Sequence, residues 1–343
     1  MRSLLTTGTA VLALLAAPVL TGAQTAQRAQ PITASEVPQK KTVAALPPRG
    51  TYVPARTPWG DPDITGDYNN SDESGVPFER PDAFAGRRLQ DVAPQELAKL
   101  VEERQRQTIE RAPTLSEFPG ATSPMHWFEN YNAVNSRAWL VSDPPDGKVP
   151  PQTAEAQQRA AARAAARKGR GPADSWEDRS LYDRCITRGL PAVMLPAIYN
   201  NNTRIVQSPG YVALTHEMIH ETRVVPLDEG PIAHGRLRGY LGDSRGGWDG
   251  DTLVIETRNF SDKTNYRGAG AHLRLMERFR RTQKGLRYEV TVDDRHTFMR
   301  AWTAALNLRP GRGLYEYACH EGNYSMRNML SAARAAEAGK RVR

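Results

Sequence analysis

The sequence predicts a mainly β protein: an antiparallel meander that curls into a barrel or half-barrel, with several peripheral helices. Two runs favour this fold, residues 272–279 (HLRLMERF) and 286–292 (LRYEVTV), which the turn sequence RRTQKG joins. Both alternate apolar and polar side chains, as a strand with one buried face does. Upstream, the turn tripeptide at residues 249–251 (DGD) leads into a third alternating run, LVIE.

The same pattern predicts that the sheet has few exposed edge strands. Residues 297–303 (TFMRAWT) are expected to supply a further strand, so at least four strands follow one another at regular spacing. A meander of this kind avoids exposed edges by curling into a barrel, and a barrel holds a pocket. A β-sandwich is the alternative, because its strands show the same alternation.

The start of the chain predicts export. Residues 1–23 place one Arg before an apolar run and end in small residues, as a cleaved signal peptide does. No later stretch approaches the ~20 apolar residues of a membrane span. We therefore expect a periplasmic or secreted protein with a flexible lead-in over residues 24–56, a single β-rich domain over 57–330, and a basic helix end and tail over 331–343.

Three helices are expected around the sheet. Residues 94–111 begin with Pro, carry acids early and Arg late, and predict a surface helix. Residues 153–170 are rich in Ala and Arg without a broad apolar stripe, which predicts a helical excursion on the surface. Residues 324–338 predict a last helix that Gly339 closes. Before the second helix, a strand at 137–143 runs into a Pro-Pro-Asp-Gly turn.

The net charge of +8 does not indicate a nucleic-acid-binding groove. Residues 153–171 and 327–343 each carry a net charge of +4, so the remainder of the chain is balanced. Both basic segments are expected to be solvated helix surface, with weak attraction to anionic surfaces as the alternative. We expect no nucleic-acid partner, since an exported protein rarely meets one.

The two cysteines, Cys185 and Cys319, predict one disulfide. An oxidising compartment and an even number of cysteines both favour it. Closing so long a loop would stabilise the fold by roughly 4–5 kcal/mol through chain entropy.

The run THEMIHETR contains the zinc-protease pattern His-Glu-x-x-His at His216, Glu217 and His220. Two zinc-binding His side chains four residues apart require a helix. Residues 211–225 are instead rich in β-branched side chains and lie between prolines, so we expect a strand. On a strand His216 and His220 share one face, and Glu217 points the other way. No cofactor is expected, and a zinc-dependent hydrolase is a minor alternative.

Long motifs across residues 57–330 resemble a large uncharacterised family of exported proteins from proteobacteria and acidobacteria. The motifs are TPWGDPD, DPPDGKVP, EMIHETR, GDSRGGWDGDTLVIET and YACHEGNY. The resemblance implies a secreted, mainly antiparallel β domain of calycin or lipocalin-like type, and it implies no activity. It also implies a recurring pattern of Glu217, His220, Glu221 and Arg223, to which His216 does not belong.

Several polar residues are candidates for a site. Glu277 shares a strand face with apolar neighbours, where it could act as an acid or base, although an ion pair with an Arg on a neighbouring strand is the preferred interpretation. His220, Glu217 and Arg223 either line a barrel mouth or form cross-strand pairs on an exposed face. His320 and Glu321 follow Cys319 and either form a site or cap the last helix.

These residues lead to two functional hypotheses. The first is the binding of a small amphipathic or aromatic molecule in an interior supplied by the strands of Tyr288, Trp302 and Tyr317. The second is a metal-independent hydrolase, lyase or isomerase that uses Glu277 with His220 or His320 as acid and base.

Overall fold

The computed structural model of the protein shows the mainly β fold that the sequence predicts. It describes residues 52–110, 133–197, 199–228 and 238–341, without the side chains of 108–110, 340 and 341. The predicted signal peptide and almost all of the predicted lead-in lie outside the described residues.

Ten strands of the described chain form one antiparallel sheet, in the order β5-β4-β3-β1-β10-β9-β8-β7-β6, with β2 paired to β10. The strands are β1 (Gly66–Asn69), β2 (Val141–Asp143), β3 (Asn202–Ser208), β4 (Tyr211–His216), β5 (Thr222–Pro226), β6 (Asp243–Asp249), β7 (Thr252–Arg258), β8 (Arg274–Thr282), β9 (Gly285–Asp293) and β10 (Trp302–Pro310). The run from β7 to β10 is the predicted up-and-down meander, and β6, in a Gly-rich stretch that the sequence does not mark as a strand, extends it by one strand. One continuous path, rather than two stacked sheets, excludes the sandwich alternative.

The sheet curls until its two ends approach each other, although hydrogen bonds do not close it. Gly246 on β6 shows the approach, since a Cβ there would lie 2.8 Å from Leu227 Cδ2 and 3.2 Å from Val225 Cγ1. Leu227 follows β5 directly, and Val225 is part of it. Only a residue without a side chain permits this spacing. The sheet therefore has the curvature of a half-barrel.

The alternation of the strands explains the core. On β9 every second residue from Leu286 to Val292 is buried. Trp302, Phe279 and Tyr288 are also completely buried, and the rings of the last two pack at a tilt with their centroids 5.0 Å apart. Aromatic side chains of this size therefore fill much of the space that the curled sheet encloses.

One predicted strand is wrong in its first half. Residues 297–301 form a turn, in which Thr297 N and Phe298 N donate to Asp294 O at 2.9 and 2.7 Å. These hydrogen bonds use the amides that a strand would need for its ladder. The strand β10 accordingly begins only at Trp302.

The three predicted helices are present as α1 (Pro94–Glu110), α2 (Ala154–Ala166) and α3 (Ser325–Arg341). Gly339 does not close α3, which continues to Arg341, because one glycine in an exposed Ala-rich helix costs only about 1 kcal/mol. Helix α2 buries only Ala156 and begins with a cap from Thr153, whose side chain accepts a hydrogen bond from Ala156 N. Within the described residues, no helix is both long enough and apolar enough to cross a membrane.

Candidate functional site

The His-Glu-x-x-His segment is a hairpin, neither the zinc-binding helix nor the single strand that the sequence predicts. Strand β4 ends at His216, β5 begins at Thr222, and a tight turn joins them. Ile219 and His220 reverse the chain with φ values of 58° and 43°. His216 and His220 therefore end on different parts of the hairpin rather than on one strand face.

This turn is strained, because neither residue is a glycine and a β-branched residue rarely adopts a positive φ. Met218 and Ile219 are 2% and 4% exposed, so burial of two apolar side chains offsets the backbone cost. The turn is also closed by His216 N, which donates to Glu221 O at 2.8 Å.

Glu217 fixes the turn to its surroundings. Its buried carboxylate accepts hydrogen bonds from Asn202 N, Asn202 Nδ2 and Tyr315 N at 3.1, 2.6 and 3.2 Å. These donors come from the start of β3 and from the segment that follows β10. The Glu217 carboxylate thus joins three distant parts of the chain, and within the described residues it accepts no hydrogen bond from His220 or Arg223; the backbone N of His220 donates instead to the Glu217 carbonyl at 3.0 Å.

His216 is a buried, neutral histidine. Its Nδ1 is 3.0 Å from Thr203 Oγ1, and its Nε2 has no hydrogen-bond partner among the described residues. Burial, and then the positive charges of Arg223 and Arg188, lower its pKa to about 3. Within the described residues, no three His, Cys, Asp or Glu side chains are grouped so that they could hold a metal ion.

Glu277 forms the ion pair that the sequence analysis preferred. Its oxygens accept from Arg223 Nη1 and Nη2 at 2.5 and 2.7 Å, and from the Tyr288 hydroxyl at 2.9 Å. All three residues are buried. Burial would lower the pKa of Arg223, but the charge and hydrogen bonds of Glu277 outweigh it and raise that pKa. Burial and Glu277 together hold the pKa of Tyr288 well above its usual value.

The structure does not bring Glu277 together with a histidine. His220 is exposed at the turn, and its Nδ1 is 3.2 Å from Tyr317 O. Because a carbonyl only accepts, Nδ1 donates, and a neutral His220 keeps its lone pair on Nε2. His320 and Glu321 are both exposed. The acid-base hypothesis therefore gains no geometric support among the described residues.

Of the predicted interior aromatics, two belong to the packed core and one lies elsewhere. Tyr288 and Trp302 have no exposed surface, so they fill the sheet interior rather than line an open space. Tyr317 is not on a strand, which corrects the prediction, and lies in the irregular segment between β10 and α3.

A cleft of about 490 Å³ opens beside the strained turn. Three segments line it: residues 185–187, residues 219–222 and residues 239–242. Ile186, Ile219 and Leu241 give it apolar surface, and His220 and Thr222 add exposed polar groups. We call this space the cleft.

The predicted disulfide between Cys185 and Cys319 is present and borders the cleft. It links residues 134 positions apart, with Cα atoms separated by 5.9 Å. Cys185 itself has a φ of 54°. The bond ties one wall of the cleft to the C-terminal segment that carries Tyr317.

The sequence analysis named Tyr317 but did not identify the group to which it belongs, the tyrosine cluster of Tyr182, Tyr199 and Tyr317 around Arg188, which lies next to the cleft. The hydroxyls of Tyr182 and Tyr317 are 3.3 Å apart, and Tyr199 hydrogen bonds with both. Burial raises the pKa of all three, that of Tyr199 to about 12. Burial also lowers the pKa of Arg188.

The fold and the cleft define a mainly β protein with an open, curled sheet and a small-molecule-sized space at the turn of one hairpin. No protein-family model matches this chain, and no curated protein matches it at a significant level.

Proposed function

We propose that this is an exported binding protein for a small amphipathic or aromatic molecule, and that the ligand lies in the cleft. The observation that carries the proposal is the cleft itself. Its volume of about 490 Å³ falls within the roughly 300–1,000 Å³ typical of small-molecule sites. The interior of the sheet, by contrast, is filled by its own aromatic side chains.

The chemistry of the cleft wall supports an amphipathic ligand. Ile186 is 37% exposed, which leaves apolar surface available for contact. His220 lies beside it with Nε2 able to accept a hydrogen bond. A ligand with an aromatic or aliphatic body and one polar group would match this wall.

The backbone around the cleft supports preorganisation. Cys185, Ile219 and His220 all have positive φ values, and all three line the cleft. Such conformations persist only where the surroundings enforce them, and they concentrate at binding sites. Here the disulfide and the hydrogen bonds of Glu217 hold these segments in place, which reduces the entropy lost on binding.

Export is supported by two independent features. The N-terminal 23 residues have the composition of a signal peptide, and the disulfide fits an oxidising compartment.

The test is a binding titration with 1-naphthylacetamide, a neutral fluorescent aromatic amphiphile. A Thr222→Trp substitution places a large side chain in the cleft and should weaken binding at least about tenfold, or about 1.4 kcal/mol. The control is Val224→Trp, since Val224 is exposed two residues further along β5 and does not line the cleft. Equal affinity of both variants and the natural protein would contradict the location of the site.

A further inference from the structure

We infer that the ligand carries a carboxylate and that Arg188, with the hydroxyls of Tyr182, Tyr199 and Tyr317, recognises it. This inference rests on the proposed binding function and adds the chemical class of the ligand. It follows from the contacts of Arg188, from its position beside the cleft, and from a comparison with the buried Arg223.

The guanidinium of Arg188 is half-buried, yet among the described residues it has no hydrogen-bond acceptor and no ion-pair partner. A guanidinium carries five N–H donors and stays charged. The surroundings withdraw part of this side chain from water, which lowers the pKa of Arg188. None of its nitrogens is a buried atom without a partner, so its donors keep contact with solvent and are open to a ligand.

The sheet interior shows which group a guanidinium and a tyrosine hydroxyl bind together in this protein. There Arg223 and the Tyr288 hydroxyl together bind the carboxylate of Glu277. Around Arg188 the same donor types occur, a guanidinium and tyrosine hydroxyls, but no side-chain carboxylate of the described residues completes the set. A carboxylate of the ligand would take the place that Glu277 takes beside Arg223.

Among the described carboxylates, Glu221 is the one whose charge acts on Arg188, and it is already occupied. Glu221 accepts hydrogen bonds from the Thr187 hydroxyl and from the backbone N of Arg188, the latter at 3.3 Å. Its negative charge lies close enough to influence Arg188 electrostatically. Glu221 would repel a ligand with two negative charges about twice as strongly as a monoanion, and the single guanidinium balances only one negative charge. This favours a carboxylate over a phosphate.

The hydroxyls can change their partners when an anion arrives. Tyr182, Tyr199 and Tyr317 hydrogen bond with one another, and Tyr182 also contacts Met218 Sδ at 3.3 Å. A hydroxyl proton rotates about the C–O bond, so a phenol can donate to a carboxylate while it still accepts from its neighbour.

The cluster does not itself line the cleft, but three connections bring it next to the residues that do. Arg188 follows Thr187, which lines it. Tyr317 O is the partner of His220, which also lines it. Tyr182 contacts Met218, the neighbour of Ile219. An amphipathic acid could therefore place its body in the cleft and its carboxylate on Arg188.

The experiment compares three probes with the same ring: 1-naphthylacetate, the neutral 1-naphthylacetamide and the dianionic 1-naphthyl phosphate. The natural protein should bind the acetate about tenfold or more tightly than the amide, because hydrogen bonds to charged groups are the strong ones. An Arg188→Gln variant should lose that difference and keep its affinity for the amide. An Arg188→Lys variant should keep part of it, since Lys supplies charge without the planar fork.

The matched control is Arg184→Gln, which removes one positive charge four residues earlier. Arg184 stacks on Trp176 at 4.5 Å and takes no part in the tyrosine cluster. This variant should retain the full preference for the acetate. Circular dichroism and thermal unfolding establish that each variant is folded before it is titrated.

The outcomes separate the two proposals. Equal affinity for the acetate and the amide would refute the carboxylate inference and leave the cleft proposal intact. A preference for the acetate that survives in Arg188→Gln would have the same meaning. Tighter binding of the phosphate than of the acetate would refute the assignment of a monocarboxylate. Binding of no naphthyl probe would refute the proposed function. Arg188 would then be tested alone, by asking whether benzoate protects it from modification by phenylglyoxal. Absence of protection would refute the carboxylate inference as well.

Discussion

Arg223 is buried and Arg188 is half-buried, and of these two arginines only Arg223 has a carboxylate of the described chain that accepts its hydrogen bonds. Arg223 is paired with Glu277 through two hydrogen bonds, and Tyr288 donates a third to the same carboxylate. Arg188 lies among three tyrosines beside an open cleft. Both sites contain a guanidinium and tyrosine hydroxyls, but only the site of Arg223 also contains a carboxylate of the described chain that accepts their hydrogen bonds.

The difference separates a structural site from a binding site. The buried ion pair holds β5 and β8 together, and its charges offset each other although Arg223 Nε has no partner among the described residues. A partly desolvated cation without an acceptor is held in place by its surroundings, and binding of an anion there supplies strong, charge-assisted hydrogen bonds. The sheet interior is therefore the scaffold, and the cleft is the candidate site.

The largest expected effect comes from breaking the buried pair. A Glu277→Gln substitution leaves the Arg223 charge buried without its counter-charge and should destabilise the protein by about 3–5 kcal/mol, measured by urea unfolding. The control is the double variant Arg223→Met/Glu277→Leu, which removes both charges and should lower the free energy of unfolding by clearly less than Glu277→Gln does. A loss below about 1 kcal/mol for Glu277→Gln would show that water already reaches this pair.

A smaller effect should appear in the pH dependence of stability. The folded protein holds the pKa of His216 at about 3, below its usual value of 6.5, so the unfolded chain takes up a proton first as the pH falls. This contribution to stability is complete above about pH 6.5 and is lost towards pH 3, by up to about 1.4 kcal/mol per pH unit.

Urea unfolding between pH 6 and pH 4 measures this contribution. A His216→Gln variant should lose stability less steeply than the natural protein over this interval. His272→Gln, which removes an exposed imidazole, serves as the control. Parallel curves for the natural protein and His216→Gln would contradict the burial of a neutral His216.

The smallest effect concerns the strained turn. At a φ of 43°, His220 occupies a conformation that Asn tolerates and a β-branched residue does not. The His220→Asn variant should therefore be more stable than His220→Val by about 1 kcal/mol or more, measured as a difference in thermal unfolding. Equal unfolding temperatures would mean that the turn does not hold residue 220 in the left-handed region.

The sheet could be predicted because its information is local. Alternation along residues 286–292 places Leu286, Tyr288, Val290 and Val292 on the buried face, and that face depends only on the period of a strand. The same alternation placed Glu277 among apolar neighbours, which made an ion pair the natural expectation.

The hairpin could not be predicted from the same kind of evidence. Residues 217–221 contain no Gly, Asn or Pro to mark a turn, and β-branched residues surround them. The chain turns there because Met218 and Ile219 become buried and Glu217 binds Asn202 and Tyr315. Those partners are distant in sequence, so no local pattern contains them.

The tyrosine cluster was missed for a related reason, although one signal pointed to it. Tyr182 and Tyr317 are far apart in the sequence, but each lies within three residues of a cysteine of the predicted disulfide. Once Cys185 and Cys319 are paired, their neighbours must meet. Residues that flank the two ends of a predicted disulfide therefore merit consideration as one site.

The most direct test of the central claim, that the cleft and not the sheet interior is the ligand site, is the affinity for 1-naphthylacetate of two folded variants measured side by side. Arg188→Gln should bind it about tenfold or more weakly than the natural protein. The double variant Arg223→Met/Glu277→Leu should bind it with nearly unchanged affinity. The reverse result, a loss in the double variant and none in Arg188→Gln, would contradict the account.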